Sequence, residues 1–222
     1  MKGFSKLIIV CGHYGAGKTN FSINLAVDYA DRGEQVTLAD LDIVNPYFRV
    51  SDFPEVAERR GIRLIEPTYA RSNMDLPALP AAMSSVTELP GRVIVDVGGD
   101  DAGATALGRY SGKIAAGNYS MLYVINRYRA LSETAQETAR LLREIEAASR
   151  LKATAIVNNS HLMEETTVRH ILDSIPYAEE VSALTGLPVV MTAIPRILAP
   201  ELSGELSDLF PVDIYVKPPW KK

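Results

Sequence analysis

Gly12-His13-Tyr14-Gly15-Ala16-Gly17-Lys18-Thr19 is the stretch on which the reading of this chain turns. It follows an apolar run, Leu7-Ile8-Ile9-Val10-Cys11, and opens an amphipathic segment from Asn20 to Asp31. The spacing G-x-x-x-x-G-K-S/T between a strand and a helix is that of a phosphate-binding loop, the Walker A pattern. Glycines let successive backbone N–H groups turn inward around phosphate oxygens. The positive end of the following helix faces the same anion. Lys18 is placed to neutralise the β- and γ-phosphates, and the Thr19 hydroxyl to reach Mg²⁺. The candidate nucleotide-contacting residues are therefore Gly12, His13, Tyr14, Gly15, Ala16, Gly17, Lys18, Thr19 and the adjacent Asn20.

Working outward, short β-branched runs alternate with helical periodicity, which predicts an α/β fold with a mostly parallel central sheet and helices on both faces. Strands are expected at Leu7–Cys11, Gln35–Ala39, Ile62–Ile65, Arg92–Asp96, Met121–Asn126, Ala153–Val157 and Pro188–Thr192. Phe21, Leu25 and Tyr29 mark the buried face of the first helix, which Gly33 stops. Further helices are expected over Ala104–Ala116, after a Ser132 N-cap along Ala135, Ala139, Leu142 and Ile145, and over Glu164–Ser174 and Tyr177–Thr185, separated at Pro176. Residues 51 to 90, broken by five prolines, read as an irregular insertion, helical near Ala78 to Val86. All 222 residues read as one domain.

In a parallel sheet the carboxyl ends of the strands share one edge, where ligands bind. That edge gathers the loop, Asp40 and Asp42, Asp96 to Gly99, Asn126, Asn158 and Ile194-Pro195. The composition, 47% hydrophobic and 23% charged, is ordinary for a soluble globular protein. A net charge of −4 argues against nucleic acid or an anionic membrane as the main partner. The lone Cys11 excludes an internal disulfide and reads as a packed thiol. With no secretory signal and no apolar run of membrane-spanning length, the expected location is cytoplasmic. His161 and His170 lack ligand-spaced neighbours, so a metal site at either is not expected. Arg127 and Arg129 read either as solvated loop residues or as a finger reaching phosphate.

These residues resemble the MinD/ParA/Mrp group of P-loop ATPases, the SIMIBI class, from Gly12 to Pro195. That group reads K-G-G-x-G-K-S/T in the loop, and here His13 stands at the signature lysine. The resemblance implies roles. Asp40-Leu41-Asp42 matches the family's D-x-D, with Asp42 near the attacking water and Asp40 near the Mg²⁺ shell. Asp96-Val97-Gly98-Gly99 matches a D-x-x-G switch, with Asp96 taking a Mg²⁺ water and the Gly99 N–H sensing the γ-phosphate. Asn158, with Asn159 as a competing choice, matches the asparagine at the adenine edge, and Ala193-Ile194-Pro195-Arg196 matches the adenine-side loop. No guanine-type N-K-x-D follows Val157, which favours ATP over GTP.

The implied protein is a Mg²⁺-dependent ATP-binding switch, a slow ATPase acting on an unidentified protein partner, with a homodimer among its possible states. The alternative is an ATP-dependent small-molecule kinase or carboxylate-activating synthase of the CobQ/CobB or dethiobiotin synthetase type, with Tyr69, Arg71 and Asn73 at an acceptor pocket. The prolines of Lys217-Pro218-Pro219-Trp220-Lys221-Lys222 exclude a MinD-like membrane-targeting helix.

Overall fold

The computed structural model describes residues 3–42, 54–66, 86–99 and 101–216. The expectations at Asn45-Pro46, at Tyr69, Arg71 and Asn73, over most of Ala78 to Val86, and at the tail from Lys217 lie outside these residues.

Among the described residues eight strands form one sheet: β1 (Leu7–Cys11), β2 (Val36–Asp40), β3 (Arg63–Ile65), β4 (Arg92–Asp96), β5 (Tyr119–Ile125), β6 (Ala155–Asn158), β7 (Val189–Pro195) and β8 (Leu209–Val212). Their order is β3-β2-β4-β1-β5-β6-β7-β8, and every pairing is parallel. The order reverses beside β1: β4 lies on one flank and β5 on the other. A crevice opens at the carboxyl end of such a switch point, and the glycine-rich loop leaves β1 into it.

The helices are α1 (Lys18–Asp31), α2 (Pro54–Arg60), α3 (Asp101–Gly108), α4 (Ser111–Ala115), α5 (Ala135–Ser149), α6 (Val168–Thr185) and α7 (Ala199–Leu202). Strand alternation sorts the core into two layers. Leu7, Ile9 and Cys11 pack with Leu107, Leu142 and Tyr177 beneath α3, α5 and α6. Ile8 and Val10 pack with Phe21, Leu25 and Ala57 beneath α1 and α2. Phe21 meets Phe210 edge-on at 5.6 Å between ring centroids, and its burial contributes about 2–3 kcal/mol. This contact ties α1 to β8. The Cys11 thiol is buried, and desolvation pushes it up to about 12, as befits a packed group.

Several local expectations give way to tertiary contacts. The helix expected over Ala104–Ala116 is two pieces, with the Ser111 hydroxyl donating to the Gly108 carbonyl at the break. A Cβ on Gly108 would lie 2.7 Å from the Ala148 carbonyl oxygen, so α3 approaches α5 there by its backbone. The α5 cap is Thr134, not Ser132. Thr134 and Glu137 form a reciprocal capping box, while the buried Ser132 hydroxyl donates to the Asn126 carbonyl. The helix does not stop at Pro176, and α6 runs through it. The proline ring faces solvent, where water can serve the carbonyl it leaves without a partner. Ser174 accepts from Asn158 on one side of it, and the Tyr177 hydroxyl donates to the Ser132 carbonyl on the other. Residues 54–66, within the segment expected to be irregular, hold the unexpected α2 beside the strand expected at Ile62–Ile65, and that strand, β3, extends the main sheet beside β2. No helix among the described residues is long and apolar enough to cross a membrane.

Candidate functional site

The start of α1 sets the site. Its N-cap is Gly17, at φ 84°, with no side-chain cap and no acidic residue in the first turn. By contrast α5 and α6 both begin with complete capping boxes, Thr134 with Glu137 and Thr167 with His170. A cap of that kind stabilises a helix by about 1 kcal/mol. At α1 the first-turn amides and the positive end of the dipole stay available to an anion.

The loop before it is tightly drawn. Ala16 N–H donates to the His13 carbonyl at 3.1 Å, and the Lys18 ammonium donates to the same oxygen at 3.0 Å. Two glycines are there for close approach. A Cβ on Gly12 would sit 2.3 Å from the Val124 carbonyl oxygen. One on Gly99 would meet the Lys18 Nζ and the Tyr14 Cα, each at 2.7 Å. The segment after β4 is thus pressed against the loop and its lysine.

A cleft of about 350 Å³ opens over this loop. Its lining includes Tyr14, Gly15, Gly17, Lys18, Thr19, Asp42 and Gly99, together with Asn159, His161, Ala193, Pro195 and Val212. Asp96 is buried, and it accepts from the Thr19 hydroxyl at 2.7 Å and from Ser22 at 2.8 Å. Burial pushes its carboxyl up to about 6, against the opposing pull of Thr19, Lys18 and Ser22. A hydroxyl and carboxylates are the hard oxygen donors that suit Mg²⁺, which takes one or two protein ligands and completes its shell with phosphate and water. Among the described residues no group of three or more His, Cys, Asp or Glu forms a metal cage. The donor set therefore fits Mg²⁺ carried in with a phosphate ligand.

The structure does not gather every expected residue. Asp40 is buried and does not line the cleft; its carboxylate accepts the Asp42 N–H at 2.8 Å and shapes the turn that presents Asp42. Asn158 also points away. Ile156 faces the α6 side of the sheet and Val157 the α1 side, so Asn158 turns back toward α6 and donates to Ser174 at 2.8 Å. Asn159, the competing choice, lines the cleft and donates to the Ala16 carbonyl at 2.7 Å. The His13 ring is not among the lining residues. Burial and the Lys18 charge lower its pKa, so the imidazole is neutral at pH 7. Arg129 reaches the loop and donates to the Gly15 carbonyl at 2.9 Å, whereas Arg127 hydrogen-bonds the Asp173 carbonyl on α6.

Two features escape a reading of the sequence alone. His161 lines the cleft. The end of β8 and the segment after it supply a wall through Val212, Ile214 and Val216. It is strapped to α1 by two asparagines one helical turn apart. Asn20 donates to the Asp213 carbonyl and accepts from Tyr215 and Val216, while Asn24 donates to the Asp213 carbonyl and accepts the Asp213 N–H, its amide also donating to the Asn20 carbonyl. The Asn20 amide is thus committed to this strap, although the residue borders the cleft. The i, i+4 spacing of Asn20 and Asn24 on α1 was the available signal.

Residues 7–189 match the family described as the CobQ/CobB/MinD/ParA nucleotide binding domain. The chain has no match among curated proteins. Among solved structures it is similar to the signal recognition particle receptor FtsY of Elizabethkingia anophelis, at 18% identity over 86% of this chain and 59% of that one, with a TM-score of 0.53. It is similar to the Thermotoga maritima cell division protein FtsY, at 20% identity over 85% and 61%, TM-score 0.54. It is also similar to the signal recognition particle 54 kDa protein of Aeropyrum pernix K1, solved in complex with GDP, at 19% identity over 86% and 42%, TM-score 0.59. The chain spans at most about three fifths of the length of these proteins, and at such identities the likeness is one of fold. Family match, switch-point topology and the uncapped phosphate loop agree: the chain belongs to the CobQ/CobB/MinD/ParA nucleotide-binding domain family, a P-loop domain of the SIMIBI class.

Proposed function

We propose that this protein binds Mg²⁺-ATP in the cleft, hydrolyses it slowly and uses the nucleotide state to switch its contacts with a protein partner in the cytoplasm. The observation that carries the reading is the make-up of the cleft. Uncapped helix amides, Lys18, Thr19 and Asp42 share it with Asn159 and an apolar wall that includes Ala193, Pro195 and Val212.

The loop amides and Lys18 hold the β- and γ-phosphates. Thr19 and Asp96 hold Mg²⁺, which when bound supplies positive charge to the phosphate oxygens. Asp42 orients the attacking water, and the Gly99 N–H reports the γ-phosphate. Because the Gly99 backbone already rests against Lys18 and Tyr14, loss of that phosphate changes the surface on which the 96–99 segment packs. Asn159 reads the base beside Pro195. Adenine is favoured because an acidic residue that would meet guanine is missing: Leu162 follows Ser160 and His161.

Calorimetric titration with Mg²⁺-ATP and Mg²⁺-GTP, followed by phosphate release, tests this. Tighter binding of ATP and slow phosphate release are expected, and binding of neither nucleotide overturns the proposal. Asp42→Asn is expected to keep ATP affinity while turnover falls by roughly 100-fold, the usual reach of proton-transfer assistance. Equal turnover in the two proteins removes Asp42 from the role.

A further inference from the structure

His161 has no part in the account so far, yet its geometry gives it a definite hydrogen-bonding character. Its Nδ1 accepts the Met163 backbone N–H at 3.0 Å, a contact made by the left-handed turn at Met163, φ 55°. A ring nitrogen that accepts carries no proton, so in the neutral imidazole the proton sits on Nε2. Nε2 lies 3.0 Å from the point a Cβ on Gly17 would occupy, and the ring lines the cleft. Burial and the neighbouring Arg129 hold the imidazole down to about 4, so the ring stays neutral through the physiological range.

Asn159 abuts the same point, its Nδ2 at 2.5 Å from it. Because that nitrogen donates to the Ala16 carbonyl, the orientation of the amide is set and Oδ1 is the acceptor left for a ligand. The His161 Nε2–H and the Asn159 amide, each with its polarity set, therefore meet beside Gly17 in the wall of the cleft.

We infer that His161 is a base-reading residue, its Nε2–H pairing with N7 of adenine while Asn159 Oδ1 accepts from the adenine amino group. Guanine offers acceptors at both N7 and O6, so its O6 opposes Oδ1. A mismatch of this kind discriminates by about 10- to 100-fold. The inference deepens the adenine assignment made above and rests on it.

The test compares ATP, GTP, 7-deaza-ATP and inorganic tripolyphosphate on the intact protein, His161→Phe and His161→Gln. The wild type should bind 7-deaza-ATP, which lacks the N7 acceptor, about tenfold more weakly than ATP. His161→Phe should lose about tenfold for ATP and no longer distinguish the two, while His161→Gln, with a donor at similar reach, should recover part of the loss. Tripolyphosphate should bind all three proteins equally. Equal wild-type affinity for ATP and 7-deaza-ATP overturns the inference whatever the variants do, and leaves nucleotide binding itself standing. So does an unchanged ratio in His161→Phe, or a parallel loss of tripolyphosphate in that variant. A wild type that binds tripolyphosphate but no nucleotide overturns the adenine reading and this inference together.

Discussion

Lys18→Ala is expected to abolish measurable nucleotide binding, the largest effect of any single substitution in this chain. The side chain is 7% exposed, so its charge acts in a poorly screened setting. Its ammonium donates to the His13 carbonyl and lies close to Gly99, in the lining of the cleft. Removing one partner of a desolvated charge pair costs about 2–5 kcal/mol or more, about 30- to 5000-fold in affinity. The loss should appear for tripolyphosphate as strongly as for ATP, since the lysine serves the phosphate end. Calorimetry or a fluorescent nucleotide measures it, and an unchanged affinity would remove the loop from the site.

Asp96→Asn is expected to stabilise the unliganded protein while lowering Mg²⁺-dependent turnover by roughly 100-fold or more, the range seen when one preorganised electrostatic contact is lost. The stability half follows from the raised carboxyl. Asp96 titrates near 6 when folded, against 3.8 as the unperturbed value. Between those values the folded protein holds a proton that the unfolded chain has released, so the stability contributed by this group falls as pH rises through about 6 and stays lower above it. At pH 8 the buried ionised carboxylate costs on the order of 2–3 kcal/mol. An amide of the same shape avoids that cost and can still bond the Thr19 and Ser22 hydroxyls. The gain in Tm over wild type should therefore be larger at pH 8 than at pH 4.5. Thermal unfolding at both values checks it, and a gain that shrinks with rising pH contradicts the assignment.

The parts of the site that were legible in the sequence are those in which neighbours along the chain are also neighbours in space. Leu7–Cys11, the glycine loop and α1 follow one another directly, and the burial of Phe21, Leu25 and Tyr29 matches their spacing. Arg92–Asp96 was equally plain, being a β-branched run between Gly91 and the Gly98-Gly99 pair. What failed depends on partners far away in the chain. Asn158 and Asn159 differ by one residue, and only the register of β6 decides which faces the cleft. Pro176 looks like a helix boundary until Asn158 and Ser132 are seen to hold both halves of α6. The wall formed by residues 212–216 depends on a strap to Asn20 and Asn24, over 185 residues away. No window along the sequence contains both.

The central claim is that main-chain amides beside Lys18 capture a nucleoside triphosphate at the carboxyl edge of the sheet. A crystal structure with Mg²⁺ and a non-hydrolysable ATP analogue tests it most directly. The expected result places the β- and γ-phosphates on the amides around Gly15 to Thr19, with the base against Asn159 and Pro195. An empty loop, with the nucleotide bound elsewhere on the protein, would contradict it.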